Sequence, residues 1–170
     1  MDHFAQLGLP AALDLEAASL DRAYFALQRQ WHPDRFVTKP PEERARASSE
    51  AASLNEAYRT LKDPLSRAFY MAELAGVEMP GDGKTIDDPE LLMEAMEARE
   101  ELHDAASADA VDGLAAKARD EMKASLARLG NLFLRDDKPA IRKALLRLRY
   151  LDKFAEEARA RRTNLERSGT

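Results

Sequence analysis

The sequence contains no cysteine among its 170 residues. This absence excludes disulfides, thiolate catalysis and cysteine-ligated zinc or iron–sulphur centres, and it fits a reducing compartment. Only seven glycines and 6% aromatic residues are present, whereas alanine, leucine, glutamate and arginine are abundant. No alternating run of β-branched residues is long enough to predict a strand. The composition therefore favours an all-α protein.

Long apolar runs and excess positive charge are also missing. No stretch approaches the eighteen or so apolar residues of a membrane-spanning helix, and the N-terminal sequence has neither the basic nor the apolar region of a secretory signal. The formal net charge is −5 and the isoelectric point is about 5.3, which argues against general nucleic-acid binding. We expect a cytoplasmic protein that binds neither membranes nor nucleic acids.

The tripeptide His32-Pro33-Asp34 is the most informative feature of the first half. It separates two helical patterns, from about Leu15 to Trp31 and from about Pro41 to Lys62. Proline lacks a backbone N–H and disfavours helical geometry at the residue before it, so the first helix must end near Trp31. A histidine and an aspartate are thus predicted to stand on a rigid turn between two helices.

Basic and polar side chains accompany this turn. Arg22 and Arg29 lie seven residues apart on one face of the first helix, with Gln28 beside them, and Arg35 follows the tripeptide. A solvated face is the ordinary interpretation of isolated surface arginines. Their position beside the turn favours a binding surface instead.

Other helix signals flank the hairpin. A short helix is predicted from Asp2 to Leu7, Asp14 is a plausible N-cap of the next helix, and a further helix follows Asp63-Pro64 and ends at Gly76. The segment 77–86 contains Pro80-Gly81-Asp82-Gly83, which is the only convincing domain break. We therefore predict an N-terminal domain over 1–76, a linker over 77–86 and a C-terminal domain over 87–170.

The C-terminal domain shows three amphipathic patterns, from about Asp88 to His103, Ser107 to Leu134 and Pro139 to Glu166. Their connections are short, and an antiparallel three-helix bundle is the simplest arrangement. The last helix is rich in basic residues and the first in acidic ones. A nucleic-acid stripe is one interpretation of the basic helix, but a solvated face that pairs with the acidic helix is the better one.

The helix that starts at Asp88 carries two apolar faces rather than one. The core spacing is met by Leu91, Ala95, Ala98 and Leu102. A second face points elsewhere and is formed by Leu92, Met93 and Met96, bordered by Glu97, Glu100 and Asp104. Such a face either packs against the rest of the protein, because methionine fills core gaps well, or forms an exposed recognition surface for a basic partner.

Catalytic and metal-binding interpretations of the tripeptide are weak. The proline fixes the separation of histidine and aspartate, and neither a cysteine nor an elbow-type serine stands nearby. The chain has only three histidines, His3, His32 and His103, and none has ligand spacing to another. We therefore expect neither an enzyme nor a protein that holds a metal or another cofactor.

The short helix, the helical hairpin with His32-Pro33-Asp34 at its tip and the following helix resemble a J-domain, the module of co-chaperones that serve DnaK-class chaperones. The resemblance covers about residues 1–76. It implies that the tripeptide and the basic face before it contact the chaperone and trigger its ATP hydrolysis. The implied chaperone-binding residues are His32, Pro33, Asp34, Arg22, Gln28, Arg29 and Arg35.

The whole chain resembles the HscB family, J-domain co-chaperones of iron–sulphur cluster assembly. The resemblance rests on Gly8-Leu9-Pro10, Gln28-Arg29-Gln30, the segment 92–102 and Leu148-Arg149-Tyr150-Leu151-Asp152-Lys153. It implies that the C-terminal bundle binds an IscU-type scaffold protein and that the J-domain delivers it to an HscA-type chaperone. The implied scaffold-binding residues are Leu92, Met93, Met96, Glu97, Glu100, Asp104 and Tyr150. Nothing in this function demands more than a monomer. The alternative function is that of a general J-protein, which holds unfolded clients for a DnaK-class chaperone.

Overall fold

The computed structural model describes residues 1–81, 83–84 and 86–169. Asp82 and Thr85 of the predicted linker, and Thr170 at the C-terminus, lie outside the described residues. Over the described ranges the chain forms seven α-helices and one 3-10 turn, and no strand. This confirms the all-α prediction. The chain divides into two compact units, Met1–Met71 and Ala72–Thr170, while the predicted domain limits at residues 76 and 86 stay predictions.

The first unit is organised by a helical hairpin. Its elements are α1 (His3–Gln6), α2 (Ala17–Trp31), a 3-10 turn (Pro33–Phe36), α3 (Pro41–Lys62) and α4 (Pro64–Leu74), which runs slightly past the division. Proline occupies the first position of α3 and two glutamates lie in its first turn, which suits the positive end of the helix dipole. The core of this unit contains Phe4, Leu7, Leu20, Tyr24, Leu54 and Leu61.

One predicted cap in this unit is wrong. Helix α2 begins at Ala17 and its N-cap is Glu16, which forms no side-chain capping bond. Asp14 therefore stands two residues before the N-cap, too far from the free N–H groups of the first turn to cap them. Local residue preference suggested Asp14, but it did not fix where the helix begins.

The second unit is a three-helix bundle made of α5 (Pro89–Asp104), α6 (Ala108–Leu134) and α7 (Lys138–Ser168). The side chains of Asp88, Ser107 and Asp137 accept hydrogen bonds from the first turns of α5, α6 and α7 respectively. Helix α7 packs against both α5 and α6. The residues buried between the three helices include Leu102, Val111, Ala118, Leu151, Phe154 and Ala158. The predicted bundle is confirmed.

Candidate functional site

The turn between α2 and α3 presents His32 and Asp34 to solvent. His32 has φ −59° and ψ 131°, outside the helical region as expected before proline. The Asp34 backbone N–H donates to His32 Nδ1 at 3.2 Å, so the proton of the neutral ring sits on Nε2. The two side chains are 48% and 88% exposed. They contribute little to packing and are available to a partner.

The tip of the hairpin is held rigid by its other side chains. The rings of Trp31 and Phe36 stack with centroids 6.0 Å apart, and the guanidinium of Arg46 on α3 lies 5.6 Å from the centre of the Trp31 ring. Arg35 donates to the backbone carbonyl of Arg29 at 3.1 Å. These contacts join both helices to the turn, so the exposed histidine and aspartate stand on a fixed frame.

The basic residues near the tip do not all share one face. Arg22 and Arg29 are exposed and lie about two helical turns apart along one side of α2. Phe25, 51% exposed, falls between them on that side and packs against Tyr24 with centroids 5.3 Å apart. Gln28 points instead toward the groove between α2 and α3. Phe25 was not among the predicted binding residues, although its position outside the apolar stripe of α2 indicated an exposed aromatic side chain.

The second apolar face of α5 is exposed. Met93 and Met96 are each 59% exposed, and Leu92 is half-buried. The alternative that this face packs deeper in the bundle is therefore wrong for both methionines. Glu97, Glu100 and Asp104 border this face and are themselves exposed. Leu92, Met93, Met96 and these three acids are hereafter called the Leu/Met face.

Tyr150 on α7 adjoins the Leu/Met face through a polar anchor. Its hydroxyl donates to Glu94 Oε2 at 3.0 Å, and Arg147 donates to both Glu94 oxygens, at 2.9 and 3.1 Å. Burial, reinforced by Glu94, raises the pKa of Tyr150 to about 12, so the phenol remains a donor at neutral pH. Glu94 and Arg147 thus fix the ring in place.

Further ion pairs join α7 to α5 and to the residues just before it. Arg142 contacts Asp87 at 2.6 Å, Lys143 contacts Glu90 at 2.6 Å and Glu157 contacts Arg99 at 3.2 Å. The interpretation of the basic last helix as an ion-paired complement of the acidic helix is confirmed. Each exposed pair adds little to stability, but together they set the register of α5 on α7.

A groove of about 250 Å³ lies beside the Leu/Met face. Leu92 and Met96 from α5 and Tyr150 from α7 line it, together with side chains of the segment before α5. Its other described lining residues are Pro80, Gly83, Lys84, Ile86, Ala95, Arg99, Leu146, Arg149, Lys153 and Phe154. The structure thus brings Tyr150 to the predicted patch and adds a concave site that periodicity did not indicate.

Comparisons with known proteins agree with both units. The sequence model of the DnaJ domain matches residues 2–70, and that of the HSCB C-terminal oligomerisation domain matches residues 87–159. The chain is 42% identical to the co-chaperone protein HscB homolog of Burkholderia multivorans, over 96% of this chain and 95% of that protein. The chain belongs to the HscB family of co-chaperones.

Solved HscB structures share the fold along almost the full length. Chaperone HscB from Vibrio cholerae has a TM-score of 0.83 at 34% identity, covering 97% of this chain and 99% of that one. Human co-chaperone protein HscB has a TM-score of 0.86 at 28% identity, covering 94% and 81%. Co-chaperones of the HscB family are not enzymes in the ordinary sense.

Within the part of the chain that the structure describes, no three histidine, aspartate or glutamate side chains are grouped as metal ligands would be. None of the described helices combines the length and the apolar character needed to cross a bilayer.

Glu94 gives this site a testable pH dependence. Arg147 holds the pKa of the Glu94 carboxyl below its ordinary value of 4.5, so the carboxylate stabilises the fold above that pH and loses this contribution as the pH falls through the lowered pKa. We expect Glu94→Gln to reduce the free energy of unfolding by about 1 kcal/mol at pH 7. The gap from wild type should close as the pH falls below 4.5.

Urea unfolding followed by circular dichroism at stepwise lower pH measures that gap. Glu101→Gln, an exposed acid on the same helix, is the matched control and should change stability little at any pH. A gap between Glu94→Gln and wild type that persists undiminished at pH 3 would contradict the assignment of Arg147 as the partner.

Proposed function

We propose that this protein is an adaptor co-chaperone of iron–sulphur protein maturation. Its bundle binds the IscU-type scaffold protein on which the cluster is assembled, and its J-domain delivers that cargo to an HscA-type chaperone of the DnaK class and stimulates its ATP hydrolysis. The cluster is carried by the scaffold and is not a cofactor of this chain. Family membership supports the co-chaperone part of the proposal, and the two surfaces support the rest.

The chaperone end of the proposal rests on the hairpin tip. His32 and Asp34 are exposed on a turn that Trp31, Phe36 and Arg46 hold rigid. A rigid contact loses little conformational freedom on binding, so more of its interaction energy appears as affinity. Pro33, Arg35 and the exposed side of α2 with Arg22 and Arg29 extend this surface, with Gln28 at its margin. A basic surface with an exposed phenylalanine suits an acidic, partly apolar site on the chaperone.

The scaffold end rests on the Leu/Met face, and one observation carries it. Met93 and Met96 are 59% exposed on a helix whose other face, with Leu91 fully buried, already supplies the core. The two exposed methionines lie outside the buried core, and a contiguous apolar patch with a polar rim is the usual anatomy of a protein-binding surface. The structure gives this patch, with Tyr150 beside it, a fixed position through the pairing of α5 with α7.

A general holdase for unfolded polypeptides is the second candidate, because exposed methionines are also typical of surfaces that accept many partners. The ordered acidic border and the fixed Tyr150 favour a single folded partner. Affinity capture from cell extract separates the two: one dominant folded partner supports the adaptor, whereas many denatured clients support the holdase.

The decisive experiment measures single-turnover ATP hydrolysis by the chaperone, with and without scaffold protein. Leu92→Ala/Met96→Ala should keep the basal stimulation and lose the scaffold-dependent part, because it removes apolar contact area from the Leu/Met face alone. We expect the scaffold to bind this variant more weakly by about 2 kcal/mol or more, as for residues at the centre of an interface.

Leu134→Ala is the matched control, because Leu134 is 86% exposed and lies at the end of α6, outside the Leu/Met face. It should behave as wild type in both assays. Because Leu92 is half-buried, thermal unfolding must first show that the double variant remains folded. Unchanged scaffold binding by a folded Leu92→Ala/Met96→Ala protein would contradict the proposed site.

A further inference from the structure

The two edges of the Leu/Met face differ in charge. Side chains on α5 advance by about 100° per residue. Measured from Leu91 on the core side, Arg99 lies at about 80°, Met96 at about 140° and Glu97 at about 240°. The apolar stripe therefore separates a basic edge, which faces the groove, from an acidic edge on the opposite side. A partner that covers the whole face meets both charges.

The groove at the basic edge has an apolar floor and cationic walls. Leu146 and Phe154 are buried at 2% and 6% exposure and contribute to the floor, while Arg99 and Lys153 stand at the rim. Among the described lining residues there is no carboxylate. Arg99 is 60% exposed and forms an ion pair with Glu157. Lys153 is exposed and forms no hydrogen bond or ion pair with the described residues.

The opposite side of α5 is quite different. The cleft between α5, α6 and α7 is lined by acids and bases together, and every charged residue that α5 contributes to it is an acid: Glu94, Glu97 and Glu101. The bases Lys117, Arg128 and Arg147 come from α6 and α7. Among the three acids of α5, Glu94 is the one that Arg147 holds in a bidentate pair. The charge carried by α5 itself therefore changes sign from its groove side, with Arg99, to its cleft side, and a complementary partner can recognise this change.

We propose that the groove receives an apolar side chain of the scaffold protein that stands beside a carboxylate. The apolar group fills the floor next to Leu92 and Met96, and the carboxylate pairs with Lys153 and Arg99 at the rim. Basic residues of the same partner lie over the acidic edge formed by Glu97 and Asp104. The partner's footprint is thus bipolar and not simply basic, an inference that rests on the proposed scaffold-binding function.

The size of the groove supports a side chain as its occupant. Its volume of about 250 Å³ lies below the roughly 300–1,000 Å³ of pockets that hold drug-sized ligands. Continuity with the Leu/Met face through Leu92, Met96 and Tyr150 makes the groove and the face one surface. A protein that covers the face therefore covers the groove as well.

Association kinetics with purified IscU-type scaffold test the proposal in the full-length protein. Lys153→Glu should slow association and weaken binding about tenfold at low salt, with a smaller effect as salt is added, because a rim charge acts mainly through steering. Lys123→Glu changes the net charge equally on the exposed side of α6, away from the groove, and should stay within about twofold of wild type.

The double variant Lys153→Glu/Glu97→Lys makes the test sharper, because it inverts the polarity of the face while keeping the wild-type net charge. Bipolar recognition predicts a loss at least as large as that of Lys153→Glu alone. Recovery of wild-type binding in the double variant, or equal losses in Lys153→Glu and Lys123→Glu, would overturn the inference.

The Leu92→Ala/Met96→Ala variant distinguishes the two levels of the argument. If it weakens scaffold binding while Lys153→Glu behaves like Lys123→Glu, the scaffold site stands and the bipolar footprint fails. If a folded Leu92→Ala/Met96→Ala binds scaffold as wild type does, or if the wild type does not bind, the proposed function fails and the footprint fails with it.

Discussion

Glutamine in place of His32 should abolish stimulation of the chaperone's ATP hydrolysis without unfolding the protein. The side chain is 48% exposed, and its hydrogen bond and its charge contact are both made to Asp34 within the turn. Surface substitutions of this kind change stability by about 0.5 kcal/mol or less. Glutamine cannot reproduce the planar ring and the position of its Nε2–H, so the contact with the chaperone is lost while the frame around it remains.

Single-turnover hydrolysis of ATP by the DnaK-class chaperone, without scaffold, measures this effect. We expect the rate with His32→Gln to equal the rate of the chaperone alone. His103→Gln is the matched control, because the same chemical change is made at a histidine whose side chain is 86% exposed near the end of α5. Stimulation by His32→Gln at the wild-type level would show that the J-domain acts through a surface other than the turn.

Loss of Arg67 should destabilise the first unit more than loss of any exposed arginine. Arg67 on α4 is 8% exposed, and it donates to the carbonyl of Leu13 at 2.8 Å and to that of Leu61 at 2.6 Å. Burial lowers the pKa of its guanidinium, but an arginine remains charged at neutral pH. Arg67→Ala removes two charge-assisted hydrogen bonds and leaves two carbonyls without their donor, at a cost of about 3 kcal/mol.

Trp31 provides the measurement, because it is the only tryptophan in the chain and packs against the core of the first unit. Its fluorescence during urea unfolding reports on that unit alone. Arg44→Ala, at an exposed position of α3, should change the free energy of unfolding by no more than about 0.5 kcal/mol. Arg67→Lys should be intermediate, since one ammonium cannot reproduce the fork geometry of the guanidinium. Equal stabilities of Arg67→Ala and Arg44→Ala would refute the bridging assignment.

Much of the fold was predictable because its signals are local. The predicted limits of the second hairpin helix, Pro41 and Lys62, agree with those of α3, since prolines mark both ends. Residue type predicts the capping of α5 by Asp88, and the helical periodicity of its apolar residues predicts the two faces of α5. The prediction of Asp14 as an N-cap was wrong because residue preference alone does not determine the residue at which a helix begins.

Features that depend on tertiary packing could not be predicted in the same way. In the sequence, Arg67 is indistinguishable from an ordinary surface charge. It is buried because α4 packs beside Leu13, where the guanidinium hydrogen-bonds to the Leu13 carbonyl. The groove combines Pro80, Gly83, Lys84 and Ile86 with residues of α5 and α7. Hydrophobic periodicity predicts neither the position of those four residues nor the register of α5 on α7. Complementary charge in the two helices predicted that they pair, but not that Glu94 would meet Arg147 and Tyr150.

The sparse contacts of His32 and Asp34 have a consequence for inheritance. Because these side chains contribute little to packing, a substitution at the turn leaves an abundant, folded chain whose Leu/Met face is intact. Under the proposed function such a chain still occupies the scaffold but cannot pass it on. Expressed beside the normal protein, it competes for the same cargo, so a substitution at the tip acts as a dominant inhibitor, whereas one that unfolds the bundle is merely recessive.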